Sequence, residues 1–200
     1  MPGPEGVVRG EDGVARCWWG GSDPLYRRYH DREWGRPIKD DRRLFEKICL
    51  EGFQSGLSWI TILRKRENFR RAFSDFEVEK VARFNSSKIE TLMRDAGIVR
   101  NRAKILATIN NARRCLDLIK ERHSLAAYAW SYEPRTSGPV GVGPQAILMS
   151  KELKARGWAF VGLTTIHSFM QAVGIVNDHL KGCEMRVEVE RLRARFVRPR

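Results

Sequence analysis

Apolar residues recur along this chain at the spacing of helices that bury one face. Leu44, Phe45, Ile48 and Cys49 follow this spacing and lead directly to Glu51, so a core-facing helix is expected to end near that carboxylate. Similar spacing recurs in three later stretches, at Trp59, Ile60 and Leu63, at Ile105, Ile109, Ala112 and Leu116, and at Ile166, Phe169, Met170 and Val173. No stretch shows the convincing alternation of a half-buried strand. The pattern therefore predicts an all-α fold.

Polar residues at helix ends refine this prediction. Asp23 before Pro24 is typical of an N-cap followed by the first helical position, and Asp40 or Asp41 is suited to cap the helix that leads to Glu51. The segment 150–156 is predicted to be a basic helix that ends at Gly157.

Three stretches fall outside the predicted helices. Residues 1–15 contain several prolines and glycines and are expected to form a flexible extension. The Pro/Gly-rich stretch 133–146 is expected to be a surface loop. Residues 184–200 are rich in arginine and form either an amphipathic helix or a disordered basic tail. One folded domain over residues 16–183 is therefore predicted.

A helical hairpin is predicted around Gly97. Ser87 and Glu90 have the spacing of a capping box, so a helix should run from Ser87 to Gly97, with the glycine as its left-handed C-terminal residue. The next helix would carry Arg100 and Arg102 in or beside its first turn. A helix N-terminus beside fixed positive charge suits a phosphate group, although an ordinary corner between two helices has the same spacing.

Glu51 has unusual surroundings for a carboxylate. In an apolar setting it must find a partner or shift its pKa. One interpretation gives it a structural partner, either a backbone amide or an arginine. The other makes it the floor of a pocket, with Trp59 as a wall and small neighbours admitting a flat molecule. The aromatic residues Trp19, Tyr26, Tyr29 and Trp34 would complete a slot for an electron-poor ring.

The charge of the chain narrows the class of partner. Lys and Arg number 37 against 24 Asp and Glu, a formal net charge of +13. This excess favours nucleic acid, with an anionic membrane surface or a basic surface without a polyanionic partner as alternatives. No apolar run has the length of a membrane span, and residues 1–13 lack the apolar core of a signal peptide. We expect a soluble, cytoplasmic protein.

Four residues at the two ends of the chain have the chemistry of zinc ligands. His179 and Cys183 are one helical turn apart, and Cys17 and His30 would complete a tetrahedral Cys2His2 shell. The alternative is that they are ordinary core residues, because a lone His or Cys seldom binds metal. Four protein ligands leave no position for a catalytic water, so such a zinc would be structural.

A series of motifs between Arg16 and Cys183 resembles the 3-methyladenine DNA glycosylase I family, in which the same motifs occur in the same order. The resemblance rests on Cys17-Trp18-Trp19, Asp23-Pro24-Leu25-Tyr26, Tyr29-His30-Asp31, Glu33-Trp34-Gly35, Leu44-Phe45-Glu46, Leu50-Glu51-Gly52, Gly56-Leu57-Ser58-Trp59, Lys65-Arg66-Glu67-Asn68-Phe69, Asp95-Ala96-Gly97-Ile98, Phe160-Val161-Gly162, Phe169-Met170-Gln171-Ala172 and Val176-Asn177-Asp178-His179. This family belongs to the helix-hairpin-helix DNA glycosylase superfamily. The resemblance implies that fold, with a structural zinc that joins the N- and C-terminal segments.

The resemblance also implies a function and a set of site residues. The function is excision of N3-methyladenine from double-stranded DNA by a monomeric, monofunctional glycosylase. Glu51 would bind the adenine edge and carry catalysis, Tyr29 and Trp59 would be pocket walls with Trp34 nearby, and Cys17, His30, His179 and Cys183 would bind zinc. The DNA-binding residues would be Gln54, Gly56 and Leu57, on a loop that fills the gap left by the flipped nucleotide, together with Gly97, Arg100 and Arg102 of the hairpin.

Some positions depart from the family pattern. Within the wider superfamily, Asn101 and Arg102 stand where bifunctional relatives carry a Schiff-base lysine, which favours a monofunctional glycosylase, and no counterpart of the catalytic aspartate of many relatives is evident. Phe53 replaces a frequent polar residue, and the stretch 163–168 leaves the role of His167 open. An alternative function is therefore a DNA-binding or damage-sensing module without catalysis.

Overall fold

The computed structural model describes residues 6–21, 23–134 and 142–199. These residues form ten α-helices and one short β-hairpin, and the all-α prediction is confirmed for the body of the chain. The helices are α1 (Pro24–Arg32), α2 (Asp41–Gln54), α3 (Trp59–Ala72), α4 (Val78–Ala82), α5 (Ser86–Arg94), α6 (Arg102–Arg122), α7 (Leu125–Trp130), α8 (Pro144–Ala155), α9 (Leu163–Ala172) and α10 (Glu184–Arg195). None of them combines the length and apolar character needed to span a bilayer.

The helix that carries Glu51 lies at the centre of the fold. α2 packs against α3, α6, α7 and α9. Its residues 44–53 are all buried. The caps predicted for the first two helices are confirmed: Asp23 Oδ1 accepts a hydrogen bond from Leu25 N at 2.8 Å, and Asp40 Oδ1 accepts one from Arg43 N at 2.8 Å. These caps set where the chain enters the two helices that bear most of the site.

The hairpin of α5 and α6 differs from the prediction at its first helix. α5 begins at Ser86, and its N-cap is Asn85, whose Oδ1 accepts a hydrogen bond from Lys88 N at 3.0 Å. Glu90 makes no capping box and instead binds Arg102 at 2.6 Å. The helix also ends at Arg94, earlier than predicted.

Gly97 is required for a reason that the sequence did not reveal. Its φ is outside the left-handed region, so the predicted left-handed C-terminal glycine is wrong. A Cβ at this position would lie 2.9 Å from Asp95 Oδ1 and 3.1 Å from Asn68 Cβ, because α3 packs closely against the turn. Lys65 and Asn68 of α3 both donate hydrogen bonds to the Gly97 carbonyl, at 3.3 and 3.2 Å. The turn is therefore held by α3.

Both ends of the chain are more structured than expected. Strand β1 (Val7–Arg9) pairs antiparallel with β2 (Ala15–Cys17), although residues 1–15 were expected to be flexible and no strand was predicted. Residues 1–5 of that predicted extension lie outside the described residues. Of the two interpretations of the tail, the structure has the helix: α10 buries Val189, and Arg193 pairs with Glu133 at 2.9 Å. Three-residue strands are too short to produce a readable alternation in the sequence.

Helix α8 begins earlier than predicted. It starts at Pro144, at the end of the stretch expected to be a loop, and covers the predicted basic helix. Gly157 follows it with φ +80°, as expected for a residue that ends a helix. The rest of the predicted loop falls largely on residues 135–141, which lie outside the described residues.

Candidate active site and metal centre

A cavity of about 330 Å³ lies between α1, α2, α3 and α9. This volume falls within the roughly 300–1,000 Å³ of small-molecule sites. Its walls are formed by Trp18, Trp19, Tyr26, Tyr29, Trp34, Glu51, Gln54, Trp59, Ser168, Gln171, Asp178 and Leu180. The structure therefore brings the five aromatic residues grouped in the sequence analysis together with Glu51.

Glu51 lies in the last turns of α2 and is 5% exposed. Among the described residues its carboxylate has no hydrogen-bond or ion-pair partner, so the structural partner considered from the sequence is not found there. Burial raises the pKa of Glu51, and the charge of Lys47 one turn earlier acts in the opposite direction. A buried carboxylate with free acceptor oxygens is suited to accept hydrogen bonds from a ligand.

The aromatic walls are arranged around this carboxylate. The rings of Tyr29 and Trp59 have centroids 5.4 Å apart and are tilted by 44°. Trp19 lies edge-on to Trp34, with centroids 4.9 Å apart. The pKa of Tyr29 is raised by burial and by the charge of Glu51, so its hydroxyl keeps its proton at neutral pH. The cavity thus offers flat apolar faces, one hydroxyl donor and one carboxylate.

The loop after α2 presents an apolar side chain beside the cavity. Gln54 lines the cavity, and its carbonyl accepts a hydrogen bond from Leu57 N at 2.6 Å. Gly56 has φ +77°, a conformation that favours glycine, and Leu57 is 41% exposed. Phe53 is buried in the core, with its ring 4.6 Å from that of Phe69, so it is not part of the exposed surface of the loop.

The hairpin places its arginines on the surface. Asn101 caps α6, and its Oδ1 accepts a hydrogen bond from Lys104 N at 3.1 Å. Arg102 is paired with Glu90, whereas exposed Arg100 has no ion pair among the described residues. The assignment of Gly97, Arg100 and Arg102 to a phosphate contact remains a prediction.

Four buried side chains form a compact Cys/His cluster. The ligand atoms of Cys17, His30, His179 and Cys183 all lie within 4.8 Å of one another. Cys183 Sγ is 3.6 Å from His30 Nε2 and 3.5 Å from His179 Nδ1. A tetrahedral ion with Zn–S of about 2.3 Å and Zn–N of about 2.0–2.1 Å would separate sulfur from nitrogen by about 3.6 Å. The four donor atoms therefore lie close enough together to bind one metal ion.

Neighbouring groups orient both imidazoles of this cluster. His30 Nδ1 is 2.8 Å from Asp31 Oδ1, and His179 Nε2 is 3.3 Å from the carbonyl oxygen of Trp34. Asp31 is held in turn by the buried Arg16 at 2.8 Å. Hydrogen bonds of this kind select the ring nitrogen that faces a metal, as is usual for histidine ligands.

The metal cluster and the cavity share their chain segments. Trp18 follows Cys17, Tyr29 precedes His30, and both sequence neighbours of His179 line the cavity. A metal held by this cluster would therefore fix the backbone of three parts of the cavity wall.

Five cavity residues were not identified as such from the sequence: Trp18, Ser168, Gln171, Asp178 and Leu180. Asp178 Oδ2 accepts a hydrogen bond from Gln171 Nε2 at 2.8 Å and lies 3.3 Å from His167 Nε2. His167 therefore contacts a cavity residue without lining the cavity itself. The sequence feature that could have identified Asp178 is its position next to His179, because a metal ligand beside the cavity also brings its sequence neighbour to the cavity.

Comparisons with known proteins agree with this architecture. A family profile described as methyladenine glycosylase matches residues 18–187. DNA-3-methyladenine glycosylase 1 of Escherichia coli (strain K12) is 47% identical over 179 residues, covering 85% of this chain and 96% of the relative.

Solved structures give the same result. A crystal structure of 3-methyladenine DNA glycosylase I is 45% identical, with a TM-score of 0.79, covering 84% of this chain and 98% of that chain. A variant of 3-methyladenine DNA glycosylase I solved in complex with 3-methyladenine is 38% identical, with a TM-score of 0.78, covering 84% of this chain and 95% of that chain. The fold, the extent of the match and the identity together establish that this chain belongs to the methyladenine glycosylase family.

Proposed function

We propose that the protein is a monofunctional DNA glycosylase that flips N3-methyladenine out of alkylated double-stranded DNA and hydrolyses its N-glycosidic bond. The observation that carries this proposal is the buried carboxylate of Glu51, which has no partner in the described part of the chain and lies in a cavity walled by aromatic rings. Relatives with 47% and 41% identity are named as DNA-3-methyladenine glycosylases, which supports the same substrate.

Recognition of the base follows from the chemistry of the cavity. Glu51 accepts hydrogen bonds from N–H groups at the adenine edge, and the rings of Tyr29 and Trp59 contact the base faces, with Trp34 nearby. N3-methyladenine is cationic in the nucleotide, so π faces and a carboxylate favour it over unmodified adenine. The walls contact a base only after it has left the helical stack, which requires flipping.

Hydrolysis needs little help from an acid. The bond between C1′ and N9 breaks with its electron pair moving to the cationic base, which leaves as neutral 3-methyladenine. Water then adds to C1′ and releases a proton. We assign Glu51 to catalysis because a carboxylate that holds the base also orients the scissile bond. The DNA phosphates supply negative charge near the developing oxocarbenium ion.

We assign two surface features, the loop after α2 and the hairpin turn, to DNA binding. Leu57 enters the gap left by the flipped nucleotide, Gly56 allows the loop to approach, and Gln54 offers hydrogen bonds to the orphaned base. The hairpin turn at Gly97, with Arg100 and Arg102, contacts the phosphate backbone. The net charge of +13 supports a polyanionic partner.

We assign the Cys/His cluster to structural Zn²⁺, bound by Cys17, His30, His179 and Cys183. The donor set and the tetrahedral spacing suit zinc, and a closed shell of four protein ligands leaves no site for a reactive water. When bound, the ion supplies a clamp between the N-terminal segment and the end of the domain.

The structure of the hairpin supports a monofunctional reaction. Lys104 lies in the first turn of α6, but its Nζ donates hydrogen bonds to the carbonyls of Phe53 and Ser55 at 2.8 and 2.6 Å and does not line the cavity. A lysine engaged in this way is not placed to form a Schiff base with the sugar. The residues that line the cavity all come from one chain, so a monomer suffices for this function. We assign its activity to the cytoplasm.

The proposal is tested by incubating the protein with methylated duplex DNA and separating the released bases by chromatography. Release of 3-methyladenine without strand cleavage is expected. Binding to methylated or abasic DNA with no base released would instead identify a damage-sensing module. A covalent protein–DNA adduct trapped by borohydride would contradict the monofunctional assignment.

A further inference from the structure

Trp18 is an aromatic residue of the cavity wall to which the proposed function gives no role. It lines the cavity and yet is 45% exposed, whereas Tyr29, Trp34 and Trp59 in the same wall are buried. A single exposed apolar side chain on a protein surface needs no special explanation. Trp18 differs from such a residue because its exposed ring belongs to the wall of a cavity. It therefore lies at the mouth, where the cavity meets solvent.

Trp18 and its sequence neighbour Trp19 make different contacts. The ring of Trp19 packs against those of Tyr26 and Trp34, with centroids 5.2 and 4.9 Å apart. Among the described residues, the indole of Trp18 has no aromatic partner and makes no hydrogen bond. Trp18 is also more exposed than the other three tryptophans of the cavity wall. Its ring is therefore available to a ligand in the cavity.

The backbone around Trp18 is held on both sides. Its N–H donates a hydrogen bond to the carbonyl of Gly6 at 3.0 Å. The residue before it, Cys17, is fully buried in the Cys/His cluster. Two residues later, Gly20 lies so close to His30 that a Cβ on the glycine would be 2.6 Å from the imidazole Cγ. Because the backbone is already fixed, less conformational freedom is lost when the indole contacts a ligand.

Leu180 extends the apolar surface beside Trp18. Its N–H donates a hydrogen bond to Cys17 Sγ at 3.3 Å, which places Leu180 next to the residue that precedes Trp18. Leu180 also lines the cavity. The part of the wall beside the Cys/His cluster is thus apolar, whereas Glu51 supplies a carboxylate elsewhere in the same cavity. An apolar surface of this kind suits the face of a base better than its polar edge.

We propose that Trp18 covers the flipped N3-methyladenine at the mouth of the cavity and holds it there by stacking. This inference rests on the proposed function, because it concerns the same base in the same cavity. Enzymes that act on a flipped base bind it by hydrogen bonds to its edge and by stacking between aromatic or apolar side chains. Trp18 supplies such a ring on the solvent side of the base, in addition to the buried rings of Tyr29 and Trp59.

The first test compares the affinities of the wild type and Trp18→Ala for free 3-methyladenine by equilibrium dialysis. Loss of one base–aromatic stack should raise the Kd by at least about fivefold. Trp18→Phe keeps an aromatic ring and should recover most of the affinity. The matched control is Phe160→Ala, at an aromatic residue that is 37% exposed and does not line the cavity. This control should keep the wild-type affinity.

Two properties separate base binding from a structural role of Trp18. Since the indole is exposed, the melting temperature and the zinc content of both Trp18 variants should equal those of the wild type. A structural role predicts that stability and affinity fall together.

A second measurement observes the indole itself. The difference in fluorescence between the wild type and Trp18→Phe gives the emission of Trp18. We expect acrylamide to quench this emission in the free protein, and bound 3-methyladenine to protect it. If Trp18→Ala loses both stability and affinity, this protection decides the matter, because it needs only the conservative variant.

The outcomes distinguish this inference from the proposed function. Wild-type affinity in Trp18→Ala would overturn the inference, as would a Trp18 emission that acrylamide still quenches with the base bound. Neither result affects the proposed function, which the release of 3-methyladenine from methylated DNA tests separately. A wild type that neither binds 3-methyladenine nor releases it from DNA would overturn both.

Discussion

The ammonium of Lys104 donates a 2.8 Å hydrogen bond to the backbone carbonyl of Phe53, which joins the second helix of the hairpin to the end of the helix that carries Glu51. A second hydrogen bond, to the Ser55 carbonyl, extends this link into the loop that bears Leu57. The hairpin, the loop and the cavity floor are therefore joined through one side chain. DNA held by the hairpin would be positioned relative to the cavity by this connection.

Lys104→Met tests that connection. The substitution keeps the length of the side chain but leaves two carbonyls without their donor, so the free energy of unfolding should fall by about 1–3 kcal/mol. Affinity for abasic duplex DNA should fall as well, since the loop is no longer held against α6. Urea unfolding and a DNA titration measure the two effects. Wild-type values in both measurements would show that the hydrogen bonds of Lys104 contribute neither to stability nor to DNA binding.

Leu57→Ala separates DNA binding from stability. Leu57 is 41% exposed, so its truncation should leave the melting temperature almost unchanged. Loss of a leucine side chain that is buried against DNA should weaken binding to abasic duplex by about 10- to 100-fold. Leu148→Ala on α8, at a leucine that is 57% exposed, is the control and should change neither quantity. Equal losses in both variants would remove Leu57 from the DNA contact.

Cys183→Ala tests the metal centre. We expect loss of stoichiometric zinc and of about 4 kcal/mol or more of stability, the linkage free energy at a metal concentration of about a thousand times the Kd. Cys115→Ala, at a buried cysteine outside the cluster, should retain zinc and lose only about 1 kcal/mol by leaving a small cavity. Elemental analysis with thermal unfolding distinguishes the two. Full zinc content in Cys183→Ala would refute the ligand set.

Glu51→Gln should change how stability depends on pH. Burial raises the pKa of Glu51 in the folded protein above its ordinary value of 4.5, so the unfolded chain releases this proton at lower pH. The free energy of unfolding of the wild type therefore falls as pH rises above that ordinary value. The total loss is about 1.4 kcal/mol for each unit by which the pKa of Glu51 in the folded protein exceeds its pKa in the unfolded chain. The melting temperature of Glu51→Gln, relative to the wild type, should increase between about pH 5 and about pH 8. A constant difference would mean that Glu51 titrates normally.

The same variant should lose excision while remaining folded. An amide presents a donor where the carboxylate presented an acceptor, so release of 3-methyladenine should fall by at least about tenfold for one lost hydrogen bond to a charged group. Circular dichroism checks the fold. Unchanged release of the base would remove Glu51 from the site.

Most of the fold was readable in the sequence because its helices bury one face and carry polar caps. Asp23 with Pro24 and Asp40 gave correct helix starts, since each acts through neighbours within three residues. Gly97 was misassigned because the reason for it lies in Asn68, a residue distant in sequence whose approach no local pattern encodes. Ser87 and Glu90 matched a capping box, but Asn85 and Arg102 competed for the same roles.

The candidate site was predicted in part for a similar reason. Glu51 and the aromatic residues stood out by their chemistry, and the structure places them in one cavity. Trp18 was not distinguished from a core tryptophan, because exposure depends on tertiary packing. Ser168, Gln171 and Leu180 are common residue types without a distinctive motif, so only the structure identifies them as wall residues.

The position of the metal cluster has a consequence for synthesis of the protein. Two of its ligands are among the first thirty residues and two lie beyond residue 178, and the cavity wall also takes residues from both of these regions. A chain still emerging from the ribosome can form α1, α2 and α3, but it lacks the wall that contains Asp178 and half of the metal ligands. The growing polypeptide therefore has no complete cavity until the end of the domain has been made, and an unfinished copy cannot capture a damaged base.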